Sequence, residues 1–190
     1  MELIAFVGKK RSGKTTAARH ICNVLRARRE SFATPIKQHV ERIFGPLEET
    51  PKEMVRPVMQ ALGESLKLKF GKYVFIDQLE ERAGPDPGLV IVDDLRFPFE
   101  ADWVKDHGGK VIRVIRPSND WVDDFHVSET SVDQVIADAT VLNTGGVEQL
   151  LAEVTNTVAR FRDENYTTDP IGSGLGSTLG SRAYQSHRAH

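Results

Sequence analysis

The sequence has a single cysteine, Cys22, in 190 residues. That excludes an internal disulfide and a cysteine-based zinc cluster, and it fits a reducing cytoplasm. It has no apolar run approaching the roughly 18 residues that a membrane-spanning helix requires. An excess of one charge is missing too: 25 Lys and Arg stand against 27 Asp and Glu, a formal net charge of −2. Without an overall basic field the chain is not expected to seek nucleic acid or an anionic membrane, which leaves small molecules as its expected partners. The first strand begins at once, without the basic region and apolar stretch of a targeting segment, so a cytoplasmic location is expected. No internal repeat is present. A chain of this length can bury a sizeable core and is most simply one domain.

What is present begins with GKKRSGKTT (8–16), directly behind the apolar run LIAFV and ahead of TAARHICNVLRARR. The first run reads as a buried parallel strand. The second places Ala18, Ile21, Cys22 and Leu25 at helical spacing. In this strand, loop and helix setting the pattern G-x-x-x-x-G-K-[ST] has a mechanical reason. Gly8 and Gly13 allow backbone angles that a side chain would forbid, so successive N–H groups can turn inward around a phosphate at the positive end of the helix. Lys14 supplies a point charge to the outer phosphates, and the Thr15 hydroxyl can ligate a magnesium ion. A plain glycine turn before a basic helix is the competing reading, disfavoured because cations at a helix N-terminus oppose the dipole.

Further along, SFAT (31–34) reads as a short strand and PIKQHVERIF as a helix opened by Pro35. PKEMVRPVMQALGESLKLKF (51–70) has helical period interrupted by Pro57 and Gly63, which predicts two helices or one kinked one. Another helix follows over 73–82, and GPDPG (84–88) is a turn. LVIVDD, KVIRVIR and ATVLN read as strands. FEADWVKDHGG and VEQLLAEVTNTVARF read as helices. The alternation predicts a parallel five-stranded sheet with helices on both faces, a three-layer α/β fold. Beyond Phe161 glycine and serine dominate, and 163–190 is expected to be a flexible tail.

VIVDDLRFPFE (90–100) carries further chemistry, because acidic residues ending a buried parallel strand sit at the carboxyl edge where ligands of open α/β sheets bind. Strand alternation lets only one of Asp93 and Asp94 face the glycine loop, where it could hold the hydration shell of a magnesium ion. Arg96 could grip a phosphate through its planar fork. A helix cap and a surface arginine would read the same way. In MVRPVMQALGE (54–64), Arg56 and Gln60 share a helix face and could serve a monophosphate and a base edge, although a solvated face would look alike. Phe32 and Lys37 are equally ambiguous between a site and core packing or surface charge. RPSNDWVDDFHVSET (116–130) is a long polar loop of the kind that forms lids, and it carries His126, Ser128 and Glu129.

Taken in order, GKKRSGKTT, SFATPIK, RPVMQALGE, VIVDDLRFPFEA, GGKVIRVIRP, HVSET and ADATVLNTG resemble the bacteriophage deoxynucleoside monophosphate kinases, a branch of the P-loop nucleoside monophosphate kinase family. The resemblance spans about residues 3–160. It implies transfer of the γ-phosphoryl of ATP, with Mg2+, to a deoxynucleoside monophosphate, in the host cytoplasm if the chain is phage-encoded. It further implies a domain over 1–162 with a helical acceptor region at about 35–82 and a lid at about 117–130. The donor loop would be Gly8, Lys10, Ser12, Gly13, Lys14, Thr15 and Thr16, with Asn143 at the donor adenine and the metal held by Thr15 and Asp94. The acceptor would meet Phe32, Lys37, Arg56, Gln60, Arg96, His126 and Glu129. One feature departs from the wider family, whose lids bring several arginines to the moving phosphoryl: residues 117–130 hold no Arg or Lys and four acidic residues. Positive charge must then come from Lys14, Arg11, Arg96, and Arg113 or Arg116. Other readings are a phosphomevalonate or dephospho-coenzyme A kinase and a nucleotide-dependent switch or motor ATPase. Expected partners are nucleotides, with a homodimer the one protein partner considered.

Overall fold

A computed structural model describes residues 2–85, 88–117 and 131–167. The run Leu3–Val7 lies in β1 (Glu2–Val7), the middle strand of a five-stranded sheet. The others are β2 (Arg28–Glu30), β3 (Leu89–Leu95), β4 (Lys110–Ile115) and β5 (Ala139–Leu142), and all pairings are parallel in the order β2-β3-β1-β4-β5. Among the described residues the helices are α1 (Lys14–Leu25), α2 (Thr34–Phe44), α3 (Lys52–Phe70), α4 (Val74–Ala83), α5 (Pro98–Asp106) and α6 (Val147–Thr167). A short 3-10 turn covers Ser131–Gln134.

Alternation along each strand sends neighbouring side chains to opposite faces, and both faces are covered, which is why the central strands read as unbroken apolar runs. Leu3, Ala5, Val7, Val90 and Val92 pack against Ile36 and Val40 of α2, Val55 of α3, Leu79 of α4 and Val104 of α5. Ile4, Phe6, Ile91, Ile112 and Val114 pack against Ala17, Ala18 and Ile21 of α1 and Leu150, Val154 and Val158 of α6. Each large side chain so buried contributes about 1.5–3 kcal/mol. The result is the expected three layers. Because all strands run the same way, their carboxyl ends share one edge, and the chain leaves that edge at Gly8, Ser31, Arg96, Arg116 and Asn143.

Two expectations need correction, and one that left two arrangements open is narrowed to a single helix. SFAT is not a strand: pairing of β2 with β3 ends at Glu30, opposite Val92, and Thr34 already belongs to α2. The chain turns there because Ser31, Phe32 and Ala33 all donate hydrogen bonds to Asp94. Residues 52–70 form one helix through Pro57. Gly63, in its middle, lets α3 close on α2, since a Cβ there would stand 3.1 Å from Ile36 Cδ1. Finally, α6 continues to Thr167, past the expected start of the tail. The rest of the tail, 168–190, lies outside the described residues, as does 118–130 with His126 and Glu129. No helix among the described residues is long and apolar enough to cross a membrane.

Candidate active site

The loop between β1 and α1 is shaped by what surrounds it as much as by its glycines. Gly8 and Gly13 have φ of +151° and +110°, and Arg11 sits in the left-handed region at +63°. A Cβ on Gly8 would lie 2.3 Å from the Val114 carbonyl oxygen, and one on Gly13 would lie 2.8 Å from Leu150 Cδ2 and 2.9 Å from Asn143 Nδ2. Both positions therefore exclude any other residue twice, by backbone angle and by space. Lys14 folds back across the loop, donating from Nζ to the carbonyls of Gly8 at 2.6 Å and Lys9 at 2.7 Å. Ser12 Oγ is buried without a hydrogen-bond partner among the described residues. An orphaned hydroxyl beside the N-terminal end of a helix, where N–H groups have no intrahelical acceptor, suits an anion's oxygens.

A cavity of about 440 Å3 opens beside this loop, a size within the range of small-molecule sites. Lys14 and Thr15 line it on the loop side, Asp93, Asp94 and Arg96 at the end of β3, and Phe32, Lys37, Arg56 and Gln60 on the helical side. The fold thus gathers into one space residues that the sequence spreads over more than eighty positions. Phe32 serves two purposes: it is 3% exposed and meets the Trp103 ring edge-on at 6.0 Å, yet it also contributes to the cavity wall. Lys67, about two helical turns beyond Gln60, lines the same wall and holds its ammonium 4.2 Å from the Phe97 ring centre. The spacing of 56, 60 and 67 on one helix face was the signal that could have found it.

The two aspartates divide the work differently from the expectation. Asp94 Oδ1 accepts the Phe32 N–H at 2.9 Å, while Oδ2 accepts the Ser31 hydroxyl at 2.6 Å and the Ala33 N–H at 3.1 Å. Lys37 Nζ in turn donates to Ser31 Oγ at 2.9 Å. With three of a carboxylate's roughly four acceptor sites taken, Asp94 is the fastening of the β2–α2 turn rather than a free metal ligand. Asp93 is buried; burial and the neighbouring Asp94 raise its pKa, while Lys37, Arg29 and Lys14 pull it down. A buried carboxylate in that position gains from added positive charge, so Asp93 fits a divalent ion better than Asp94 does.

At the start of α5, Glu100 closes the wall. Its Oε2 accepts the N–H groups of Arg96 at 2.8 Å and Phe97 at 3.0 Å, which fixes the turn that carries Arg96 into the cavity. Burial pushes its pKa up to about 8 against those two hydrogen bonds, which act the other way.

A sequence model of the deoxynucleotide monophosphate kinase family matches residues 47–154, from α3 to α6. The chain belongs to that family. It is 29% identical over 187 aligned positions to an Acanthamoeba polyphaga mimivirus protein assigned as a deoxynucleotide monophosphate kinase, covering 83% of this chain and 96% of the relative. It is 32% identical over 111 positions to the deoxynucleotide monophosphate kinase of Enterobacteria phage T4, covering 55% of this chain and 45% of that one. Among solved structures, a gluconokinase from Sinorhizobium meliloti 1021 superposes with a TM-score of 0.53 at 12% identity, over 89% of this chain and 98% of that one. At that identity the likeness speaks for the fold alone.

For this member of the deoxynucleotide monophosphate kinases, a phosphotransferase, two candidate roles are redirected by the geometry. Arg113, considered for the moving phosphoryl, donates to the carbonyls of Val132, at 3.1 Å, and Val135, and so clasps the 3-10 turn to β4. Asn143, expected at the donor adenine, is 9% exposed and turns its amide into the protein, donating from Nδ2 to the Ser12 carbonyl at 2.9 Å. That hydrogen bond commits one of the two amide donors to the loop backbone. Arg11 and Arg116 are exposed and do not line the cavity, whereas Arg96 does. Lys10, Thr15 and Thr16 lie where the sequence motif puts them, at the loop and the first turn of α1.

Proposed function

We propose that this kinase transfers the γ-phosphoryl group of ATP to the phosphate of a deoxynucleoside monophosphate, giving the diphosphate and ADP. The observation that carries the reading is the shared cavity, with the Lys14 loop on one side and Arg56, Gln60 and Lys37 on the other. On this reading ATP lays its outer phosphates on the loop N–H groups and Lys14, and the acceptor places its phosphate near Arg56 and Lys37 and its base near Gln60. Mg2+ would be held by the Thr15 hydroxyl and Asp93, and when bound it offsets charge on the outer phosphates. Arg96, in the turn that Glu100 holds, lines the same cavity and on this reading would stabilise charge as the phosphoryl moves. No covalent intermediate is required, since positioning and charge neutralisation supply most of the acceleration in phosphoryl transfer. The partners are the two nucleotides, without nucleic acid or membrane, and the site of action is the cytoplasm.

ADP release, measured with ATP and each of several deoxynucleoside monophosphates in turn, tests this. Release that depends on at least one of them supports the reading. Equal release with no acceptor would instead mark a switch or motor ATPase, and release only with dephospho-coenzyme A or phosphomevalonate would mark a different small-molecule kinase.

A further inference from the structure

Asn143 stands directly behind β5, one strand away from the loop it touches. Its backbone N–H donates to the Ile115 carbonyl at 2.7 Å, which extends the β4–β5 pairing by one residue and fixes the position of its Cα. From there the side chain crosses to Ser12, 131 residues earlier in the chain, in a buried hydrogen bond. On the loop side the fit is tight, since Gly13 has room for no Cβ against Asn143 Nδ2 and Leu150 Cδ2. The loop is therefore seated on β5 and α6 from behind.

The direction of this bond matters. In a trans peptide the carbonyl of one residue and the N–H of the next point in opposite directions. No cis peptide occurs among the described residues, so an amide that draws the Ser12 carbonyl backwards turns the Gly13 N–H forwards, away from Asn143. Gly13 is the N-cap of α1, at the helix end where N–H groups have no intrahelical acceptor. We propose that Asn143 is a positioning residue for the phosphate loop: by holding the Ser12 carbonyl backwards, it aims the Gly13 N–H at the donor's phosphates. Without that donor the Ser12 carbonyl is buried and unsatisfied, and the peptide plane between Ser12 and Gly13 is free to rotate. This rests on the reading of the loop as the ATP site.

The test compares wild type with Asn143→Asp, which keeps the shape and deletes the donor, and with Asn143→Ala, which adds no buried charge. Calorimetric Kd for ATP, KM for ATP, and acceptor KM at saturating ATP are measured for each, along with the amide NMR shift of Gly13 on adding ATP. Leaving a buried carbonyl unsatisfied should weaken ATP binding by about 5- to 150-fold, with acceptor KM unchanged and the Gly13 shift reduced. A residue that merely supports the fold would lower the melting temperature and leave ATP affinity alone. ATP Kd and KM within twofold of wild type in either folded variant would overturn the proposal. Should Asn143→Asp not fold, Asn143→Ala decides. If wild type itself binds no ATP, the reading of the loop has failed, and the proposal fails with it.

Discussion

Lys14 and Gly8 are joined by a 2.6 Å hydrogen bond from the lysine ammonium to the glycine carbonyl, which closes the loop upon itself. The lysine is thereby held over the loop before any phosphate arrives, so little side-chain freedom remains to be lost on binding. Its charge serves the ligand more than the core. Lys14→Ala is expected to fold with a melting temperature close to wild type and to lose about 10²–10³-fold in kcat, the usual cost of removing one preorganised stabilising donor. Circular dichroism and steady-state kinetics on the same preparation check both halves.

Arg56 and Arg96 face the same cavity from different elements and should fail differently. Arg56→Ala removes a charge-assisted contact to the acceptor phosphate, worth about 1.5–3 kcal/mol, so acceptor kcat/KM should fall about 10- to 150-fold with ATP kinetics nearly constant. Arg96→Ala should lower kcat itself, because a group that meets charge developing on the moving phosphoryl acts in the transition state. An unchanged acceptor KM and kcat in Arg56→Ala would remove that residue from the site.

Asp93 and Asp94 provide a second contrast. Asp94→Asn alters a group that ties down three donors of the β2–α2 turn, and a loss of about 1.5–3 kcal/mol in stability is expected from a single charge-assisted bond. Asp93→Asn removes a buried charge that burial disfavours. That variant should be at least as stable as wild type, with magnesium-dependent turnover reduced. Chemical denaturation and magnesium titration of activity separate the two, and the opposite pattern would exchange their roles.

How much of this the sequence revealed depends on distance along the chain. The phosphate loop was legible because its chemistry is written in nine consecutive residues between a strand and a helix. The sheet was legible because fully buried parallel strands announce themselves as apolar runs. What separates Asp93 from Asp94 was not legible, since it depends on hydrogen bonds from Ser31, Phe32 and Ala33, some sixty residues away. The same three bonds explain why SFAT, with the composition of a strand, is a turn. Asn143 was visible as a polar residue ending a strand, but its direction is decided by Ser12, which no local pattern connects to it.

Glu100 makes stability depend on pH in a definite direction. Its folded pKa, about 8, lies above the ordinary value of 4.5, so the unfolded chain ionises first as pH rises. The contribution is complete below the ordinary carboxylate range and is lost as pH climbs to about 8, at a slope of at most about 1.4 kcal/mol per pH unit. Glu100→Gln can keep an oxygen for both N–H donors and has no proton to lose. Its melting temperature, followed from pH 5 to pH 8 beside wild type, should decline less steeply. Parallel curves would show that Glu100 is not the group responsible.

The central claim is that one cavity joins the phosphate loop to a nucleotide acceptor, and phosphorus NMR of the reaction mixture examines it most directly. With wild type, ATP, magnesium and a deoxynucleoside monophosphate that stimulates ADP release, the monophosphate resonance should disappear as the paired α and β resonances of a deoxynucleoside diphosphate grow in step with ADP. Arg56→Ala should give the same products at a lower rate. Inorganic phosphate accumulating in place of the deoxynucleoside diphosphate, at a rate indifferent to the acceptor, would contradict the account.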